Sequence, residues 1–560
     1  MAHPRTRTTR RDLLKGALLA LLAPPSALLA AGRLEAPAAP GASDEAFLNR
    51  LTFGATPESR AALARLGRAA WLDDQLARPA RDARLDARLA ALRLRIAYEA
   101  GEDEAGAWDA VDELRPLAAL DADPATLLRL LSWEEPLEWS ERVRPAWEVI
   151  AASLPRAVHA EAQVREVLTQ FWHDHFNVHS MKDEGTAAFF PQHDAALREH
   201  ALGRFRDLLG AVAASPSMLL YLNQADSRAS PANENFAREL LELHTLGAGA
   251  YLNEHGARWS DVPQQGGLAT GYVDEDVYEV ARAFTGWTVG DGRWVAEGQE
   301  APLTGRMAYV EGWHDPYQKR VLGREFPPNR APLADGEEVL DVLAAHPATA
   351  RHVCAKIARR LLADEPDPAL VERLAQVFLD EGDAPDQIAR VVRALALDPA
   401  FDAAPTKLRR PFEVLAALYR ASGAEVASPE ASFHWQLERA GWHQHTFGPP
   451  NGHPDTLPDW EGGVVLLRAV ETALSAHDEW FGCTTTRLSG VLPPEVRTLG
   501  SLLAFWAERA CGPGAPAPAE LWAALDADPS DPLADDEAER HDLSTLALAV
   551  AALSPRFLLR

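Results

Sequence analysis

Three stretches of this chain carry side chains whose type and spacing suit chemistry. The first is Phe171-Trp172-His173-Asp174-His175-Phe176-Asn177-Val178-His179. Helical periodicity over 160–178 puts Val164, Val167, Leu168, Phe171 and Trp172 on one buried face. His175 continues that face, and His179 follows one turn later. Imidazoles at i and i+4 on a helix can share one divalent metal ion. Phe176 follows His175, so the pattern is not HExxH and lacks the general base of that motif. His173 faces the other way and is expected half exposed.

The second stretch is Asn233-Glu234-Asn235-Phe236-Ala237-Arg238-Glu239-Leu240-Leu241-Glu242-Leu243-His244-Thr245-Leu246-Gly247. On a helix over 232–246, Ala237, Leu240, Leu241 and Leu243 form the apolar face, with His244 inside it. Arg238, Glu239 and Glu242 lie on the polar side and Glu234 at the border. Gly247 is a natural helix stop. A buried imidazole beside carboxylates suits a metal ligand or a general base. The alternative is a core imidazole bonded to a backbone carbonyl. The third stretch, Gly312-Trp313-His314-Asp315, places His and Asp side by side at a turn. His175, His179, Glu234 and His244 are therefore the candidate metal ligands, and Glu239, His314 and Asp315 the candidate acid–base groups. The metal, if one is bound, is a divalent ion of unspecified identity. A His- and Pro-rich segment over 441–455 is a weaker signal.

The elements that must position these residues read as helices, at 140–153, 160–178, 196–214, 232–246, 274–285, 336–363, 367–396, 410–421, 459–474, 494–510 and 537–554. Arg81–Tyr98 also alternates Leu and Ala with Arg at helical spacing. Thr56-Pro57 is a helix start, a capping hydroxyl followed by Pro at the first helical position. Asp274-Glu275-Asp276 suits the positive end of a helix dipole. The best strand signal is 306–326, where two short runs flank an Asp-Pro turn and predict one hairpin. A long Gly-rich loop covers 247–273. The expected class is all-α, a multi-helix array with long irregular loops and at most that small β-hairpin. Within 45–560 a division into 45–290, 291–330 and 331–560 is the natural first guess.

The 560 residues are 47% apolar and 24% charged, ordinary for a folded protein, and 16 Trp and 18 Phe supply large buried surfaces. A net charge of −27 with no basic stripe argues against nucleic acid as a partner. Cys354, Cys483 and Cys511 form no CxxC pair, which excludes a thiol-rich zinc site. Cys354 reads as a core thiol, while Cys483 and Cys511 are free to pair in an oxidising compartment. No P-loop, GxSxG elbow or strand-linked GxGxxG is present.

The N-terminus has the form of a twin-arginine export signal over 1–32. Thr9-Arg10-Arg11-Asp12-Leu13-Leu14-Lys15 precedes an apolar run to Ala31 that is too short to span a bilayer comfortably. A Pro/Ala/Gly linker covers 33–44. No later segment reads as membrane-spanning, and Leu543–Leu553 reads as a buried helix. The expected location is therefore periplasmic, cell-surface or extracellular. The folded-cargo route is compatible with cofactor loading before export.

FLNRLTFGATP (47–57), FWHDHFNVH (171–179), NENFARELLELHTLG (233–247), DEDVYEVARAFTGW (274–287), HDPYQKRVLG (314–323) and HPATARHVCAKIARRL (346–361) together resemble the bacterial family called domain of unknown function 1800. The likeness covers about 45–560. His175, Glu234, Arg238, Glu239, His244, His314 and Asp315 match its pattern positions. The resemblance implies an exported protein, and a partner from another uncharacterised exported family whose genes often lie alongside. It implies no reaction. Two readings stay open: a cell-envelope metalloenzyme, and a binding or scaffold protein whose buried His, Glu and Arg groups are structural.

Overall fold

The computed structural model describes residues 42–253, 258–404, 407–427, 431–478, 480, 483–515 and 527–560. The export signal and nearly all of the linker lie outside the described residues. The chain opens with α1 (Ala42–Leu51), α2 (Pro57–Leu66), α3 (Arg68–Ala77) and α4 (Ala83–Ala91). The start of α2 follows the capping rule: Thr56 Oγ1 accepts from the Ser59 amide at 3.1 Å, and Ser59 Oγ accepts from the Thr56 amide at 2.8 Å.

After α4 the chain departs from the helix expected over 81–98. It turns into β1 (Arg93–Tyr98), which pairs antiparallel with β2 (Val111–Pro116), Arg93 opposite Pro116 and Tyr98 opposite Val111. The reason is visible in the side chains. Leu92, Leu94 and Ile96 alternate with Arg93, Arg95 and Ala97, a period of two that competes with the helical reading. The apolar set packs with Leu85 and Leu89 of α4 in a small satellite core.

The central helices are α5 (Arg144–His159), α6 (Gln163–His175), α7 (Glu184–His200) and α8 (Phe205–Ala213). The segment expected as one helix over 232–246 is shorter. α9 (Glu234–Glu239) passes into a single π-helical turn, Leu240–His244. α10 (Asp274–Phe284) begins as expected, with the Asp276 carboxylate accepting from the Val273 amide at 3.0 Å and the Leu322 amide at 2.8 Å.

The expected hairpin over 306–326 does not form. β3 (Trp287–Asp291) pairs backwards with β4 (Leu303–Tyr309), and β5 (Lys319–Val321) pairs with β6 (Arg324–Phe326). The Asp-Pro turn cannot close a hairpin because α10 holds it. Arg282 grips the Asp315 carboxylate at 2.9 and 3.0 Å, and Thr285 Oγ1 accepts from the Asp315 amide at 2.9 Å.

The longer helices that follow are α11 (Ala334–Ala344), α12 (Pro347–Leu361), α13 (Pro368–Asp380), α14 (Gln387–Ala396), α15 (Pro411–Ser422), α16 (Ala431–Arg439), α17 (Gly463–Leu474), α18 (Leu499–Cys511) and α19 (Glu537–Ala552). Buried apolar residues from Phe47 to Leu558 make one contiguous core. Cys354 is fully buried in it, and burial pushes its thiol up, as suits an inert core thiol. Cys483 and Cys511 are likewise buried and are not joined. None of the described helices is long and apolar enough to cross a membrane.

The class is therefore not all-α. Helix takes 56% and strand 10%, in several small antiparallel sheets, so the fold is a helix-dominated mixture of α and β. Six two-stranded ribbons replace the single expected hairpin among the described residues.

Candidate functional site

Successive residues of a helix point about 100° apart. At the C-terminal end of α6 this sends His173, Asp174 and His175 into three separate polar networks. Phe171, Trp172 and Phe176 pack around them, and Trp172 Nε1 donates to the Ala201 carbonyl at 2.9 Å.

His173 is buried, not half exposed as expected. Its Nε2 lies 3.0 Å from Asp194 Oδ1 on α7. Arg156 and Arg198 donate to the same carboxylate at 2.7 and 2.9 Å, and Arg198 also reaches Glu166 at 2.6 Å. Burial alone would raise the Asp194 carboxyl, but Arg198, Arg156 and His173 hold it well below the usual carboxylate range. The His173 ring stands 4.1 Å from that of His445. His445 Nε2 is 3.0 Å from Ser153 Oγ and 3.0 Å from Gln444 Nε2.

Asp174 points towards the second half of the chain. Its Oδ2 accepts from Arg410 Nη1 at 2.8 Å, and its Oδ1 lies 3.0 Å from His453 Nδ1. Burial would raise this carboxyl too, and Arg410 and His453 again drive it far down. Behind Arg410, Glu413 pairs with Arg360, Arg410 and Arg560. The His453 ring stacks on Trp442 with centroids 4.0 Å apart. The backbone of the loop comes equally close. A Cβ at Gly452 would stand 2.0 Å from the Asp174 carbonyl oxygen, and Gly452 has φ 71°.

His175 donates from Nε2 to the His244 carbonyl at 3.1 Å. His352 on α12 does the same to the Leu243 carbonyl at 3.1 Å. The π-turn leaves these two carbonyls outside the ordinary helical ladder, and two imidazoles satisfy them. His175 Nδ1 and His244 Nε2 are buried with no hydrogen-bond partner among the described residues. Burial, with Lys356 nearby, pushes His244 down to about 3 and His352 down to about 4. Burial lowers Lys356 itself to about 8.

The expected metal ligands do not converge. His175 and His244 are neighbours, with ring centroids 6.3 Å apart. α6 ends at His175, so His179 is not one helical turn further on. Its Nδ1 instead accepts from the Met181 amide at 3.2 Å. Glu234 is on the surface, 3.4 Å from Arg238. Among the described residues no three His, Cys, Asp or Glu side chains form a group that could hold a metal ion.

The expected acid–base groups are also apart. Glu239 is half-buried, and burial and Glu242 raise it. His314 and Asp315 belong to a separate lock. Lys319 Nζ sits 2.7 Å from Asp335 Oδ2, which is 3.3 Å from His314 Nε2, while Asp315 is held by Arg282.

What the α6 hub does position is a loop. Asn177 Nδ2 donates to the Phe447 and Pro449 carbonyls at 2.9 and 2.8 Å. The Ser180 amide donates to the His445 carbonyl at 2.9 Å, and Tyr221 Oη donates to the Gly448 carbonyl at 2.5 Å. This loop is one wall of an open pocket of about 550 Å³. α16 also lines it, and there His434 and Glu438 stand one turn apart with Nε2 and Oε1 3.1 Å from each other. His443 Nδ1 is 3.9 Å from the same Glu438 oxygen. Trp147, His179 and Trp435 are also part of the lining. Trp147 meets His434 edge-on at 5.0 Å. The volume is that of an ordinary ligand pocket. Sequence reasoning passed over His434, Trp435 and Glu438, although the i, i+4 spacing of a His and a Glu beside a Trp was there to find.

Two measurements check this geometry. His193, His244 and His352 have folded values of about 3, 3 and 4, below an unfolded value of about 6.5. The unfolded chain takes up protons that the folded chain refuses, so stability falls as pH drops from about 6.5 towards 4. Glu148, raised to about 7, opposes this with at most one proton, so the imidazoles prevail. Urea midpoints should decline steadily from pH 7 to pH 5, and a flat profile would contradict buried neutral imidazoles. Gly452→Ala should cost more than about 2 kcal/mol, because a Cβ meets the Asp174 backbone at a left-handed position. An unchanged thermal midpoint would refute that seat for the loop.

No curated protein and no solved structure matches the chain. The family model described as "Protein of unknown function (DUF1800)" matches residues 46–559, nearly the whole chain, and the chain belongs to that family.

Proposed function

We propose that the protein is exported by the twin-arginine route and works in the cell envelope as a binding protein. The ligand site is the pocket between α16 and the loop over 443–449, and the buried His, Asp and Arg groups are structural. One observation carries this reading. His173, Asp174 and His175 are each engaged by protein partners, and the loop that Asn177 and Tyr221 hold beside them forms part of an open pocket lined by aromatic rings and imidazoles. The export part rests on Thr9–Lys15 and the apolar run after it.

Replacing Arg10 and Arg11 with Lys should hold the unprocessed chain in the cytoplasm, as read by cell fractionation and intact mass. Purified mature protein should sediment with envelope fragments. Trp435→Ala should weaken that retention about tenfold, the usual loss when a central aromatic is removed, with an unchanged melting curve. Equal sedimentation of the two proteins would remove the pocket as the binding surface.

A metal-dependent enzyme is the second reading, favoured by the two unclaimed nitrogens His175 Nδ1 and His244 Nε2. Elemental analysis of protein purified after native export separates the two. Stoichiometric metal that is lost in His244→Gln and kept in Trp435→Ala supports the enzyme. Absence of metal with stability retained in chelator supports the binding protein.

A further inference from the structure

We propose that the ligand of this pocket is a neutral carbohydrate, with a pyranose ring laid against Trp435 and its hydroxyl groups bonded by His443 and Glu438. The proposal rests on the reading of the pocket as the binding site and adds the class of ligand.

Trp435 lines the pocket and is 60% exposed; Trp133, Trp139, Trp259 and Trp294 are also exposed but line no part of it. An indole face left in water beside a cavity of about 550 Å³ offers a flat apolar platform. The face of a pyranose carries C–H groups that lie flat on such a ring, while its rim carries hydroxyls that need both donors and acceptors.

The polar lining has that dual character. A neutral imidazole offers one N–H donor and one bare nitrogen acceptor. Burial lowers His179, which favours its neutral form. Glu438 adds carboxylate acceptors.

Charge argues against an anionic ligand. Among the described residues no Lys or Arg lines the pocket, and the chain carries a net charge of −27, so an anionic ligand finds neither a counter-charge nor a favourable field. A neutral polyol needs neither.

The test titrates purified mature protein with cellopentaose, chitopentaose and maltopentaose, following tryptophan fluorescence and calorimetry. At least one sugar should bind and perturb the emission. Trp435→Ala should weaken that binding at least tenfold, and Trp435→Phe should keep most of it, since a ring face is what the sugar needs. The same sugar should displace the protein from envelope fragments. Binding that is equal in Trp435→Ala overturns the proposal. So does retention on envelopes that Trp435→Ala loses but no sugar displaces, and in that case the pocket still stands as the binding site. If Trp435→Ala and the parent protein sediment alike, the pocket reading falls as well.

Discussion

The carboxylate of Asp174 ties the two halves of this molecule together. It lies at the end of α6, and its partners Arg410 and His453 lie more than two hundred residues further along the chain. One turn of helix then divides the labour by geometry alone. His173 turns back to α7, Asp174 reaches the start of α15 and the loop before α17, and His175 reaches the π-turn. Three adjacent polar side chains thereby engage three separate parts of the fold at once. The Phe and Trp residues that flank them exclude water, which strengthens each contact and raises the cost of breaking it.

Such contacts are better at specifying a geometry than at adding stability. Taking charged groups out of water costs several kcal/mol per ion, and the attraction between partners roughly offsets it. Removing one partner is different, since a buried charge left alone costs about 3–5 kcal/mol. The network through Asp174, Arg410, Glu413 and Arg360 therefore penalises every misplacement of α12, α15 and the loop over 443–453. Gly452 adds a steric condition of the same kind, because only a residue without a side chain fits against the Asp174 backbone.

The helices were legible because their apolar faces repeat at 3.6 residues. Val164, Val167, Leu168, Phe171 and Trp172 of α6 are buried as periodicity puts them, and His175 and His244 were found as buried groups for that reason. Periodicity failed where two patterns overlap. Leu89, Leu92 and Ile96 fit a helix, while Leu92, Leu94 and Ile96 fit a strand, and a neighbouring strand at 111–116 decides the matter from outside the window. The break at Leu240–His244 is also set from outside, by imidazoles of α6 and α12 that donate to the freed carbonyls. Site residues were legible by type and not by partner. Nothing near Asp174 in sequence announces Arg410, and nothing near His314 announces Asp335. Glu234 reads as a ligand from its neighbours His244 and Glu239, yet its place on α9 turns it to the surface.

Hub and site differ in what they leave open to a ligand. A side chain that must act on a ligand needs a free lone pair or proton and a route to it. His173 and Arg410 are buried and closed by protein partners, and the two oxygens of Asp174 are taken by Arg410 and His453. His443 and Trp435 keep exposed surface beside an open cavity. The pocket wall over 443–449 is made of loop and not of regular structure, so its shape depends on side chains that hold backbone carbonyls, chiefly Asn177 and Tyr221. These lie at or next to the hub. The buried polar groups that look most like catalysts thus serve the pocket at one remove, by fixing a backbone that hydrophobic packing alone would leave free to shift.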